Sequence, residues 1–115
     1  MRNEIEIFVN SCILKGEAEK HGITGYPNFE VNDRKYYRTI SSVYKCLKEE
    51  NRLNELVVLL DHENPYVRLW ASAYTLLVEP AKAKKVLKEL IRTSREVGFD
   101  AEMTLREWKK GRLKL

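Results

Sequence analysis

Few residues in this chain are of types that could do covalent or metal chemistry, and their spacing argues against it. There are two cysteines, Cys12 and Cys46, and two histidines, His21 and His62. The cysteines lack the C-x-x-C spacing of a zinc knuckle or a redox pair. A chain of 115 residues builds a core without staples, so both read as small buried hydrophobes rather than as a disulfide. Cys46 with His62 would make a nucleophile–base pair, but Cys46 flanks an apolar helical face, where a thiol is inert. His62 lies between Asp61 and Glu63, and adjacent residues of one turn rarely converge on one ion, so a solvated turn is the plainer reading. There is no H-E-x-x-H, and no glycine opens a helix in the G-x-x-x-x-G-K pattern. The expectation is a protein that is not an enzyme and takes no metal or cofactor.

What remains is recognition chemistry, and the charges supply two candidate faces. Residues 81–115 hold eleven Lys or Arg against five Asp or Glu. Residues 47–63 run the other way, with Glu49, Glu50, Glu55, Asp61 and Glu63 against Lys48 and Arg52. The net charge of +4 is therefore unevenly spread, which bears on partners more than on fold. The acid stretch, with Tyr37 as an aromatic anchor, suits another protein of basic surface, such as a toxin held by an immunity-type inhibitor. The alternative face is Lys84, Lys85, Lys88, Arg92 and Arg95, which suits nucleic acid or an acidic target. Exposed aromatics for base stacking are not evident beside it, which weighs against nucleic acid. Tyr26 and Tyr37 are the tyrosines expected at the surface; the others fall on core stripes. Asn32 falls on the apolar side of its helix. Its amide needs partners, either in a neighbouring turn near Asp61 or in a small pocket with Tyr36 or Trp70.

The elements that must position these groups are helical. Apolar residues make up 43% and charged residues 33%, the balance of a globular protein, and the length fits one domain, 1–115. Five Gly and three Pro are too few for a many-turned all-β architecture. No run approaches the ~20 apolar residues that cross a bilayer. Glu4 and Glu6 do not fit a signal peptide, so a cytoplasmic protein is expected.

A first helix over 4–20 aligns Ile5, Phe8, Val9, Cys12 and Ile13, and a second over 28–50 aligns Phe29, Tyr36, Ile40, Val43, Tyr44 and Leu47. A short third, 53–60, turns Leu53, Leu56, Val57 and Leu60 inward. The sharpest break is Asp61-His62-Glu63-Asn64-Pro65: Asn64 is a good N-cap, and Pro65 suits the first helical position. The helix it opens, to about Val78, is apolar over most of its surface. Val67, Trp70, Ala71, Tyr74 and Leu77 point inward, leaving a narrow polar strip of Arg68, Ser72 and Thr75. Such a helix is central, and Trp70 is expected to be fully buried. Pro80 opens a fifth helix to about Ser94, with Ala83, Val86, Leu87, Leu90 and Ile91 inward. Asp100 caps a sixth, burying Ala101, Leu105 and Trp108 before Gly111 ends it. The fold class is all-α, with about six helices in antiparallel hairpins.

Asp61-x-x-Asn64-Pro65-x-Val67-Arg68-x-x-Ala71 resembles the turn and second helix of a HEAT-type repeat. Ala71 is small enough there for close helix approach, and Asp61 and Arg68 are placed to bond each other or a neighbouring backbone. Val67-Arg68-Leu69-Trp70-Ala71-Ser72, the helix from Pro80, and Gly98-Phe99-Asp100-Ala101 with Leu105, Trp108 and Gly111 together resemble a bacterial family catalogued as a domain of unknown function. Its members are small all-α, HEAT-like proteins. The resemblance is carried by residues 53–113 and by Asn32-x-Arg34, and little by residues 1–27. It implies an α-superhelical fold and brings no reaction with it, while the short-linked hairpins by themselves also fit an orthogonal bundle. Some small HEAT-like proteins serve as immunity proteins, an analogy at the level of fold.

Overall fold

The computed structural model describes the backbone of residues 3–22 and 29–115, and side chains over 3–18 and 34–115. Five α-helices and one 3₁₀ helix account for the ordered elements, with no strand among the described residues. They are α1 (Glu4–Gly22), α2 (Phe29–Glu49), the 3₁₀ helix (Leu53–Asp61), α3 (Pro65–Thr75), α4 (Pro80–Thr93) and α5 (Gly98–Lys109). The chain falls into two compact units, Met1–Arg52 and Leu53–Leu115.

In the first unit α1 packs on α2. Phe8 and Cys12 of α1 are buried, as are Ile40, Val43, Tyr44 and Leu47 of α2. These form the centre of the expected stripes; Ile5, Val9 and Ile13 of α1 and Tyr36 of α2, at their margins, are only part-buried, and the side chain of Phe29 lies outside the described residues. Asn51, at φ 60°, closes α2 in the left-handed conformation that asparagine tolerates best after glycine. The Arg52 N–H then reaches back to the Leu47 carbonyl at 2.7 Å, a Schellman closure.

The second unit is organised around α3, which packs against the 3₁₀ helix, α4 and α5. Its start is the one expected. Asn64 is extended, with φ −82° and ψ 125°, and its Oδ1 accepts from the Tyr66 N–H at 2.9 Å and the Val67 N–H at 3.4 Å. Pro65 takes the first helical position, where its missing N–H costs nothing.

Several side chains depart from the expectation, each for a physical reason. Residues 53–61 form a 3₁₀ helix of three residues per turn. Leu53, Leu56 and Leu59 therefore line up inward with Leu60, while Val57 is only part-buried and Val58 is exposed. Trp70 is part-exposed, not fully buried: an indole is too large to be covered easily, and it packs beside Tyr74 with ring centroids 5.9 Å apart. Ser72 and Thr75, expected on a polar strip, are wholly buried. Their hydroxyls are satisfied locally, Ser72 Oγ donating to the Leu69 carbonyl at 3.0 Å and Thr75 Oγ1 to the Ala71 carbonyl at 2.8 Å. The helix stops at Thr75, so Leu77 leaves its stripe and is exposed with Val78.

Asp100 does not cap α5, which begins two residues earlier, at Gly98. The Ser94 hydroxyl accepts from the Val97 N–H at 3.2 Å just ahead of it. Trp108, expected to be buried, is part-exposed, as an indole is rarely covered in full. Gly111, at φ 69°, ends α5 as expected, with the Arg112 N–H bonded to the Glu107 carbonyl at 2.9 Å.

Candidate functional site

The basic face is built on α4. Ala83, Val86, Leu87 and Leu90 are buried, which fixes the helix rotation and turns Lys84, Lys85, Lys88 and Arg92 to the other side. The two edges of this cationic strip differ. On one edge the side chains are committed inward: Lys82 Nζ lies 3.4 Å from Asp61 Oδ2, and Glu89 Oε1 lies 3.5 Å from Arg68 Nη1. Asp61 and Arg68 therefore bond neither each other nor a backbone; each takes a side chain of α4. Arg68 is held on the inner side of the helix, its Nε buried without a hydrogen-bond partner among the described residues.

This commitment has an electrostatic consequence. Glu89 is the one acid of α4, and at i+4 from Lys85 it would normally soften the strip. Its pairing with Arg68 leaves Lys84, Lys85, Lys88 and Arg92 without an ion pair among the described residues. They surround an open depression of about 450 Å³ together with Ala81 and Glu89. Arg95 is exposed in the turn beyond. Four cations over nine residues of helix, Lys84 to Arg92, occupy about 12 Å of axis, so the local potential is strongly positive.

The acid stretch has a different structure. Glu49 and Glu50 belong to the first unit, and Glu55, Asp61 and Glu63 to the second. Glu50 is bound to Arg52, which also holds Glu4 at 3.1 Å, and Asp61 is bound to Lys82. Glu49 and Glu63 are exposed, and Glu55 is half-buried. Tyr37 lies on α2, 47% exposed, in the same unit as Glu49 and Glu50. The side chains of Asn32, Tyr26 and His21 lie outside the described residues.

Residues 7–108 match a family described as a domain of unknown function, DUF2019. The chain belongs to that family. Its fold is similar to that of the protein RPA1889 from Rhodopseudomonas palustris CGA009, whose crystal structure covers 100% of this chain and is itself covered to 95%, with a TM-score of 0.75 at 20% identity. At that identity the likeness concerns the fold alone. No curated protein matches the chain.

Asp61 is committed to Lys82, and His62 Nδ1 accepts from the Asn64 N–H at 3.0 Å. Among the described residues no three His, Cys, Asp or Glu side chains come together to hold a metal ion. Both cysteines are free. Burial pushes the Cys12 thiol far above its ordinary range, against the smaller opposing pull of Lys15. Cys46, expected to be buried, is only part-buried because it stands at the margin of the α2 stripe; its thiol is raised too, by desolvation first and then by Glu50 and Glu4. A thiol so shifted stays protonated at neutral pH and is a poor nucleophile. No described helix is long and apolar enough to cross a membrane.

Two groups of residues were not evident from the sequence. Arg34, Lys35 and Arg38 of α2 surround an open depression of about 440 Å³; residues 1–60 balance to no net charge, which hides them. Ile91, spaced as a core residue, is 37% exposed, one position past the buried row at Leu90. It lines a groove of about 280 Å³ with Glu102, Leu105, Arg106 and Lys109 of α5.

Proposed function

We propose that this protein is a non-catalytic binding module that recognises an acidic protein surface through the cationic face of α4. One observation carries the reading: the sole acid of α4, at the edge of the strip, is paired with Arg68 of α3, and the four cations have no ion pair among the described residues. Like charges at i,i+4 repel, so the strip costs stability in the free protein, and an acidic partner relieves that cost. The acid stretch is the weaker candidate for an interface. Its members are divided between two units, and Glu50 and Asp61 are already paired. An immunity-type inhibitor remains one form of this reading, with an acidic rather than a basic target.

The test is affinity capture from the source organism with three baits: the native chain, Lys84→Glu with Lys88→Glu, and Glu49→Lys with Glu50→Lys. The expected result is an acidic protein retained by the first and third baits, released as salt rises and unaffected by nuclease. Association with the purified partner should slow about tenfold or more in the α4 variant at low salt. Capture lost in the Glu49/Glu50 variant and kept in the α4 variant refutes the reading. Capture abolished by nuclease assigns the face to nucleic acid instead.

A further inference from the structure

We infer that the groove between α4 and α5 is the anchor pocket of this interface, and that it takes an apolar side chain from an acidic, helical segment of the partner. The inference rests on the reading of α4 as the recognition face and goes beyond it by naming the ligand class. On a helix of about 100° per residue, Ile91 shares a row with Lys84 and Lys88, at i+7 and i+3. The free edge of the cationic strip is therefore the edge that meets the groove, while the opposite edge carries the tied residues Lys82 and Glu89.

The far wall repeats the pattern. Glu102, Leu105, Arg106 and Lys109 are spaced i, i+3, i+4 and i+7 along α5, about 10 Å of helix. Leu105 is buried at the floor, and Ile91 supplies the other apolar surface. Glu102, the one acid of the lining, is bonded to Arg106 at 3.2 Å. The groove thus has an apolar floor of two aliphatic side chains and the cation Lys109 in its own lining, while Lys84 and Lys88, in the helical row of Ile91, line the neighbouring depression on α4. Phe99 lies three residues before Glu102 on α5 and is 71% exposed, a large ring left in water.

These features select among anionic partners. A phosphate backbone would use the cations and gain nothing from Ile91 or Leu105; the exposed Phe99 ring, an aromatic the sequence did not lead us to expect here, could stack a base, so the apolar floor and not the ring separates the two partners. An acidic peptide with an apolar side chain at helical spacing uses cations and floor alike, the carboxylates on the former and the apolar group on the latter. The volume, about 280 Å³, accepts one large side chain or two small ones, and the groove length matches about two turns of docked helix.

The experiment measures fluorescence anisotropy of the full chain with three labelled probes. Two are acidic peptides of equal charge, one with leucine and phenylalanine at i, i+3 and i+7, the other with serine there. The third is a thymidine oligonucleotide of similar charge. The apolar peptide should bind at least about tenfold more tightly than its serine counterpart, the gain from burying one aliphatic side chain. Ile91→Asp, a change at a surface position verified by circular dichroism, should remove that margin, and Lys84→Glu with Lys88→Glu should weaken both peptides alike. Equal affinity for the two peptides overturns the groove inference and leaves the basic-face reading standing. An oligonucleotide that outbinds both peptides overturns the inference in favour of nucleic acid. Peptide binding unmoved by the Lys84 and Lys88 reversals refutes the basic-face reading itself. No binding by any probe at low salt refutes both.

Discussion

Replacing Lys88 by glutamate should stabilise this protein while weakening its proposed recognition face. Lys88 stands at i+4 from Lys84, i+3 from Lys85 and i−4 from Arg92, in a helix whose sole acid is turned to Arg68. Each like-charged neighbour costs about 0.2–0.5 kcal/mol and each opposite one returns about as much. Reversing one charge among three neighbours therefore changes stability by about 1–2 kcal/mol at low salt, the lower part of the summed range because Lys88 is exposed. Position 88 lies mid-helix, so the helix dipole adds little. For a chain of this size the gain appears as a rise in Tm of about 4 °C per kcal/mol.

The assay is thermal unfolding by circular dichroism, in low-salt buffer and in about 1 M NaCl, where the Debye length falls to ~3 Å. Lys88→Glu should unfold later than the native chain at low salt, and most of the difference should vanish at high salt. Lys88→Gln should fall between. A loss of stability in Lys88→Glu, or a gain that salt does not reduce, would mean that these cations do not repel one another. The case for an unsatisfied face would then fail. The expected result instead describes a surface kept at the expense of stability, a pattern found where a face has another use.

Other outcomes follow from the same geometry. Asn64→Ala removes the acceptor of two N–H groups at the start of α3 and should cost about 1 kcal/mol in urea denaturation; no loss would mean that Pro65 alone sets the helix start. Thr75→Val deletes a hydroxyl whose one strong partner is a carbonyl of the preceding turn, so it should stay within about 1 kcal/mol of native stability; a loss above ~3 kcal/mol would reveal a wider polar role. Cys12 should label with a thiol reagent only on unfolding. Its folded thiol keeps a proton that the unfolded one gives up near pH 9.0, so its contribution is complete below that pH and lost above it. The stability advantage of the native chain over Cys12→Ser should shrink by up to about 1.4 kcal/mol per pH unit beyond that point; a constant difference between about pH 8 and about pH 10 contradicts a raised thiol. Phe99→Ser, at a largely exposed position, should change stability by less than about 0.5 kcal/mol while weakening the apolar peptide.

The sequence by itself determined the fold class and most of the element order, because local signals and burial pattern agreed. Asn64-Pro65 opened α3 where a cap and a preset φ demanded it, and Gly111 closed α5 through its positive φ. The helical period of Ala83, Val86, Leu87 and Leu90 was enough to make the face of Lys84, Lys85, Lys88 and Arg92 legible. Spacing alone misjudged residues at the margin of a stripe. Ile91 has the spacing of a core residue yet lines an open groove, since periodicity gives a direction from the helix axis and not the distance to the next helix. Trp70 and Ser72 exchanged roles for a related reason: α3 is enclosed on several sides, so a small hydroxyl with a backbone acceptor fits inside where an indole does not. Leu59 replaced Val57 in the core because a tighter helical turn shifts the period from 3.6 to about three. Only the tertiary structure decided the ion pairs. Asp61 to Lys82 and Arg68 to Glu89 each join side chains 21 positions apart, and it is the second of these that pairs the one acid of α4 with α3. A sequence counts Glu89 among the charges of its own helix; the fold assigns it to the neighbouring one, and with that assignment leaves a row of lysines facing water.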